Sequence, residues 1–537
     1  MTVTSLPRRR VLGGAIATPF AAPIAGGLLP LNAMAQQAAR QGGVYNAMLF
    51  PEPPTLILAL DQNTPTQVAA GKIYESLLTY DHDFTPRPSL AKSWTISPDG
   101  LVYTFKLQEN VKWHDGKPFS ADDVVFSIKD MLMSVHPRAR AIFENCQAIE
   151  ALDRNTVRFT LKQVYAPFIL AFEVSTSPIM PAHIYRGTEY RTNPNNSKPI
   201  GTGPFKLVEW RRGAFIHLTR NADYHVKGQP YLNDLFFHII PDAASRALAL
   251  EQGKVHQATS GHFEAFDVKR LMALDSLYST NKGFEFTAPV TRIEFNTRVK
   301  PFDDKRFRQA INYALDRNFI ANAIFSGMAR PATGPLSSKT RFYDAKVNPY
   351  ALNEAKARAL LDEMGLKPDA NGVRARVSFL RLPIGETYDR LSEYIKQALR
   401  KVGIEVTLES ADFATWTQRY GNWDFQMTIT LPNQFGDPAL GLTRFFVTSN
   451  IRKGVAFSNC TGYSNEKVDA LFAKGASAIV PAERQAIYSE IQRQLVEDAP
   501  MAWLVEPQHY VLISKQYTDC IVSAIGVVET FRQARKA

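Results

Sequence analysis

Three observations predict an α/β chain of two or three domains. First, the 537 residues leave roughly 500 after the leader described below, more than a single hydrophobic core usually organises. Second, Leu391, Tyr394, Ile395, Ala398, Leu399 and Val402 recur at helical spacing, Gly403 ends the run, and Ile404, Val406 and Leu408 then alternate as in a strand. Helix followed by strand in this way belongs to an α/β lobe. Third, 45% of the residues are apolar and no fixed-period repeat or low-complexity segment follows the leader. A packed core is therefore available, and solenoid and disordered architectures are excluded.

At the start of the chain, Arg8, Arg9 and Arg10 precede an Ala- and Gly-rich apolar run, and no acid occurs before Glu52. This pattern predicts a twin-arginine export leader over 1–35, cleaved after Ala35. Pro19, Pro23 and Pro30 make the run a poor membrane helix. Residues 43–50 read as a first strand, after which Pro51, Pro53 and Pro54 impose an extended passage around Glu52. A short helix is expected over 71–80.

The densest run of signals is 89–130. Leu101, Tyr103, Phe105 and Leu107 alternate with Val102, Thr104, Lys106 and Gln108, and Pro98 and Gly100 supply a turn that folds the chain back from Trp94. A second turn is marked by Asp115 and Gly116. Ser120 and Asp123 then form a capping-box pattern ahead of a helix with Val124, Val125, Ile128, Met131 and Leu132 on its apolar face. Trp94, Trp113 and Phe119 are expected to feed a core.

Further on, 155–162 alternates as a strand and the polar stretch 190–199 reads as a linker. Residues 205–210 and 215–220 are expected to pair, 235–240 to form another strand, and 245–252 a helix stopped by Gly253. Asp303 and Asp304 stand where acids favour a helix N-terminus, and Phe307, Ala310, Ile311, Ala314 and Leu315 form that helix's apolar face.

Composition and motifs exclude several functions. Loss of Arg8, Arg9 and Arg10 with the leader takes the net charge from +11 to +8, and the remaining basic residues are dispersed, so no nucleic-acid stripe forms. Cys146, Cys460 and Cys520 are too few for a disulfide framework. Metalloprotease and nucleophile-elbow motifs are lacking, and GTGPFK departs from the dinucleotide fingerprint at Lys206. His114 and Asp115 are adjacent on a tight turn, where neighbouring side chains rarely face each other. No catalytic residue, metal ligand or cofactor is nominated.

The stretch LAKSWTISPDGLVYTFKLQENVKWHDGKPFSADDVVFS resembles the signature of the family 5 extracellular solute-binding proteins of bacterial ABC importers. Further blocks match in the same order: GTGPFKLVEW, PDAASRALALEQG, FNTRVKPFDDKRFRQAINYALDR, NEAKARALLDEMG and EDAPMAWL. The resemblance implies a two-lobed periplasmic-binding-protein clamshell with an extra domain inserted in the first lobe. On that map lobe I takes 36–71 and 198–289, the inserted domain 72–197 and lobe II 290–506, while 507–537 returns to lobe I. The implied protein is a periplasmic monomer that captures a peptide or peptide-sized solute between its lobes and passes it to a membrane permease. A receptor presenting its ligand to a membrane sensor, or a secreted hydrolase, are the alternatives.

The resemblance also nominates a ligand site. In the family the passage after the first strand, here Phe50 and Glu52, faces the cleft. In peptide-binding members the loop equivalent to LPNQFGDPALGL carries Trp, then an Asp that pairs with the ligand's ammonium group, then Gly-Asp-Pro. Alignment on Gly436, Asp437 and Pro438 places Leu431 at the Trp position and Gln434 at the acidic one. An unpaired buried ammonium is costly, so a free-amine peptide should bind less well unless Asp437 or Glu52 substitutes. Otherwise the ligand is neutral, acidic or metal-chelating, with Gln434 offering both an amide donor and an acceptor. Asn433 and Phe435 complete this loop, Trp416 and Trp423 are candidate stacking surfaces, and Arg444 is a candidate carboxylate partner. His256 departs from the family's G-x-x-D block.

Overall fold

A computed structural model describes residues 41–347 and 350–537. The predicted leader over 1–35 lies outside these residues. Three sheets organise the described chain.

The first sheet has seven strands, in the order Leu277–Thr280, Val511–Ser514, Gln257–Thr259, Val44–Leu49, Asp234–Ile239, Phe215–Arg220 and Phe205–Arg211. Val44–Leu49 is central and parallel to both its neighbours. It is buried on both faces, which explains its nearly continuous apolar sequence: Tyr45, Ala47 and Leu49 enter one core, and Met48 enters another with Leu250 and Leu271. The expected pairing of 205–210 with 215–220 is present as an antiparallel hairpin.

The second sheet has six strands, ordered Ala329–Pro331, Met501–Pro507, Thr291–Phe295, Met427–Thr430, Ala375–Leu380 and Ile404–Glu409. Helix Glu386–Arg400 buries Leu391, Ile395, Ala398 and Leu399, and joins two parallel strands of this sheet. Gly403, with φ at +87°, turns the chain from helix to strand. Helix Lys305–Tyr313 begins at Asp304, whose carboxylate accepts from the Arg306 N–H at 2.8 Å. All five residues of its expected apolar face are buried.

The third sheet has four strands, ordered Ala91–Ile96, Val102–Leu107, Thr156–Leu161 and Cys146–Asp153. Tyr103, Phe105 and Leu107 point into a core that also holds Tyr45 and Phe237 of the seven-stranded sheet, so the two sheets share one apolar interior. Trp113 and Phe119 are buried there, with Trp94 packed at its margin.

Two expectations for local structure are corrected. The helix over 71–80 is absent: the helix is Thr64–Ala70, and strand Leu78–Tyr80 follows an irregular stretch. The reason is tertiary. The Lys72 and Ile73 carbonyls accept from Phe205 N and Gly203 N, at 3.2 and 2.9 Å, so this backbone serves the GTGPF loop. A Cβ on Gly201 would lie 1.9 Å from the Ile73 carbonyl oxygen, which accounts for glycine there.

The helix after Ser120 has its capping box, but only Ala121–Val125 is α-helical and Phe126–Leu132 widens into a π-helix. Ser127 Oγ donates to the Asp123 carbonyl at 2.6 Å and accepts from Met180 N at 2.7 Å. A side chain bonded to the helix backbone in this way is a recognised cause of such distortion.

The chain passes from the seven-stranded to the six-stranded sheet through 281–290, and returns through 508–510. Phe284 and His509, one on each crossing, have ring centroids 5.5 Å apart.

Candidate functional site

The loop after strand Met427–Thr430 leaves the six-stranded sheet and meets both other parts of the chain. Gln434 N donates to the Thr287 carbonyl on the first crossing segment at 2.9 Å. Phe435 and Gly436 have φ of +52° and +72°. A Cβ on Gly436 would come within 2.5 Å of the Phe84 ring, so this close approach requires glycine.

Two cavities flank the loop. The first, about 240 Å³, is lined by Leu49, Phe50, His262, Phe284, Asn433 and His509 among others, with no Asp, Glu, Lys or Arg in its wall. Burial, with Arg246 nearby, pulls His262 down to about 4. Burial likewise lowers His509, helped by Lys339. Both are neutral at pH 7, leaving this cavity uncharged. The second, about 410 Å³, draws Arg138, Tyr165 and Leu170 from the chain around the four-stranded sheet, and Phe435, Leu440 and Arg444 from the six-stranded side. Its only charged lining residues are the two arginines. The larger cavity falls within, and the smaller just below, the usual range for small-molecule sites.

The nominated residues separate accordingly. Phe50 and Asn433 meet at the first cavity, where Phe50 also carries Arg246 with its guanidinium carbon 4.2 Å from the ring centroid. Phe435 and Arg444 meet at the second. Leu431 is half-buried against the core of the six-stranded sheet.

Four further nominations have polar groups that already find partners within the chain. Glu52 accepts from Trp210 Nε1 at 2.9 Å and from Gly213 N at 3.1 Å, tying it to the edge hairpin of the seven-stranded sheet. Trp416 is core: it is 1% exposed, donates Nε1–H to Thr428 Oγ1 at 3.0 Å and stacks on Tyr420. Gln434 is buried, with Oε1 accepting from Ser337 N and Thr340 Oγ1 and Nε2 donating to the Pro335 carbonyl. Asp437 is buried in a two-pronged pair with Arg484. Trp423 also packs at the core margin, under Arg298. None of these five borders either cavity.

His114 and Asp115 engage different partners, the Gly203 carbonyl and His183. His256 has a structural role, its Nδ1 accepting from Asn46 N on the central strand at 3.0 Å. Cys146, Cys460 and Cys520 are separate thiols. Among the described residues no cluster of His, Cys, Asp or Glu could hold a metal ion, and no helix is long and apolar enough to cross a membrane.

Sequence reasoning missed Arg138, Tyr165, Phe286 and His509. Arg138 had one legible signal, its position in HPRAR just inside a helix start, but nothing local announces that it reaches Phe435.

Comparison with known proteins places this arrangement in a class. Residues 85–459 match the family described as bacterial extracellular solute-binding proteins, family 5. Di/tripeptide-binding protein 2 of Pseudomonas aeruginosa is 30% identical over 465 residues, covering 82% of this chain and 85% of that protein. Among solved structures, the ABC transporter-associated periplasmic binding protein DppA from Helicobacter pylori, in complex with peptide STSA, aligns with a TM-score of 0.77 at 25% identity. That alignment covers 94% of this chain and 99% of DppA. AgaA from Agrobacterium tumefaciens R10, in complex with agropinic acid, gives a TM-score of 0.75 at 25% identity, with 92% and 99% coverage. The chain belongs to the family 5 extracellular solute-binding proteins. It is a substrate-binding protein with the α/β two-lobed fold of that family, whose members bind ligands and are not enzymes.

Proposed function

We propose that this protein captures a peptide-sized organic solute in the seam between its lobes and delivers it to the membrane permease of an ABC importer. The observation that carries this reading is the placement of the 431–437 loop. It leaves the six-stranded sheet, bonds to the crossing segment at Thr287, packs on Phe84 and leaves a cavity on each side. A ligand touching both lobes gains contacts that exist only when they are together, so it shifts the open-to-closed equilibrium by that difference in affinity. The relatives' ligands extend from peptides to agropinic acid, consistent with one frame serving several chemistries.

The remaining features of this reading are as follows. The leader over 1–35 directs export by the twin-arginine route and is cleaved, and the mature chain works as a periplasmic monomer without catalysis, cofactor or nucleic acid. The lobe boundaries are those implied by the resemblance. They are supported by the membership of the seven- and six-stranded sheets, while the shared core joins the inserted segment closely to lobe I.

The test is to purify the exported protein, release whatever small molecule it carries by denaturation, and identify that molecule by mass spectrometry. Returning it to the emptied protein should shrink the radius of gyration in small-angle scattering. A protein that carries no solute and does not contract with any extract of the growth medium would overturn the proposal.

A further inference from the structure

Glu506 is the last residue but one of strand Met501–Pro507, beside the second crossing between the sheets. Its side chain is 4% exposed, and its two oxygens are held unequally. Oε2 accepts from Ser337 Oγ and Ser338 N, both at 2.9 Å, and from Ser338 Oγ at 2.7 Å. Ser337 N donates in turn to Gln434, so this clasp is continuous with the 431–437 loop. Oε1 is buried and accepts no hydrogen bond from any described residue. Arg330 Nε stands 3.7 Å from it, beyond hydrogen-bond length, on a half-exposed side chain.

Glu506 lines a third cavity, of about 30 Å³, which adjoins the first: Phe284, Pro289 and His509 stand in both walls. A space of this size takes one or two water-sized groups. Buried polar atoms nearly always have partners, and the three donors on Oε2 hold the carboxylate in one orientation. A carboxylate flanked by Arg330 and Lys339 accepts hydrogen bonds and donates none, so the group that reaches Oε1 must be a donor.

Charge decides which donor. Arg330 and Lys339 line the small cavity with Glu506, two cations against one anion. Lys339 Nζ donates to the Asn281 carbonyl on the first crossing, and its charge adds to burial in holding His509 below its ordinary value. That positive field disfavours an ammonium group. The first cavity adds no charge of its own, only neutral polar side chains such as Gln257, Thr287 and Asn433 beside the rings of Phe50 and Phe284.

We propose that the part of the ligand lying in the first cavity is uncharged and ends in a hydroxyl group that donates to Glu506 Oε1 where the two cavities meet. This inference rests on the reading of the seam as the ligand cleft.

Three probes on one frame differ only in the group they offer. Lactoyl-dialanine carries a hydroxyl where trialanine carries its ammonium group, and propionyl-dialanine carries hydrogen there. Their affinities are measured by titration calorimetry on the emptied exported protein and on its E506Q and K339Q variants. Wild type should bind lactoyl-dialanine at least ~10-fold more tightly than propionyl-dialanine, since a hydrogen bond to a charged acceptor supports a preference of that size. Trialanine should bind no better than propionyl-dialanine. In E506Q the amide oxygen can serve Ser337 and Ser338 while the nitrogen faces the cavity, so the hydroxyl preference should fall to within about threefold. K339Q removes one cation and should narrow the gap between trialanine and lactoyl-dialanine. Equal affinities for the hydroxyl and hydrogen probes, trialanine binding as tightly as lactoyl-dialanine, or equal weakening of all probes in E506Q would overturn the hydroxyl site. Failure of lactoyl-dialanine to bind wild type would do the same. A solute released from the purified protein that closes it in small-angle scattering but has no hydroxyl would overturn the hydroxyl site and leave the cleft intact; a released solute that fails to close it would overturn the cleft reading as well.

Discussion

Asp437 and Arg484 meet through two parallel contacts, Oδ2 to Nη1 and Oδ1 to Nη2, both 2.8 Å long. Both side chains are buried, and Asp437 also accepts from Ala439 N at 3.0 Å. The residue that seemed available for a ligand's ammonium group is thus the anchor of its own loop. Breaking a buried pair from one side strands the other charge, typically at about 3–5 kcal/mol. D437N should lower unfolding stability by roughly that amount in urea denaturation; a loss below about 1 kcal/mol would mean that solvent or another acid already compensates Arg484.

The resemblance of the LPNQFGDPALGL loop implies an acid at the position of Gln434 in peptide-binding members of the family. Its amide nitrogen donates to the Pro335 carbonyl at 2.9 Å, and its oxygen accepts from Ser337 N and Thr340 Oγ1. Q434D would remove the donor and set a buried carboxylate beside a carbonyl. We expect a stability loss of about 1–3 kcal/mol and no gain in affinity for free-amine peptides. Paired melting and calorimetric titration with trialanine will check this. Tighter trialanine binding by Q434D would return Gln434 to the ligand site.

The approach of Gly436 to Phe84 pins the loop to the chain preceding the four-stranded sheet. An added methyl group faces both an unfavourable φ and an aromatic ring 2.5 Å away. G436A should cost more than about 1 kcal/mol. F84A opens that space, so G436A made in an F84A background should cost clearly less. Additive losses in this double-mutant cycle would disprove the coupling.

Acid should destabilise the protein through its buried histidines. Burial, reinforced by Arg138, pulls His136 down to about 3. Burial also pulls His114 and His262 to about 4. These folded values lie below the roughly 6.5 of an unfolded chain, so the unfolded state binds more protons in between. The stabilisation is complete above about pH 6.5 and is lost as pH falls towards 4. The melting temperature should decline progressively across that window, and H136Q should flatten the decline. A melting temperature constant from pH 7 to 4.5 would contradict these shifts.

Much of the fold was legible because its signals are local. The two-residue alternation of Tyr103, Phe105 and Leu107 and the helical spacing of Leu391, Ile395 and Leu399 each mark a buried face. The caps at Asp304 and Ser120 were legible for the same reason. The blocks that reveal the family are largely these framework features. The GTGPF loop could be seen as a motif, but its task of receiving the Lys72 and Ile73 carbonyls could not, and the mistaken helix over 71–80 followed from that.

The sequence by itself determined the fold class, the approximate bounds of several elements and family membership, since strand and helix patterns depend on residues only a few positions apart. The tertiary structure alone decided which side chains remain free to meet a ligand. Glu52, Gln434 and Asp437 have the chemistry of binding residues, yet Trp210, Pro335 and Arg484, each distant in the chain, engage them. Arg444 also has such chemistry, and among the described residues its Nε finds no hydrogen-bond partner. A polar side chain's partner is set by which remote segment packs against it, and that packing cannot be read from residues a few positions apart.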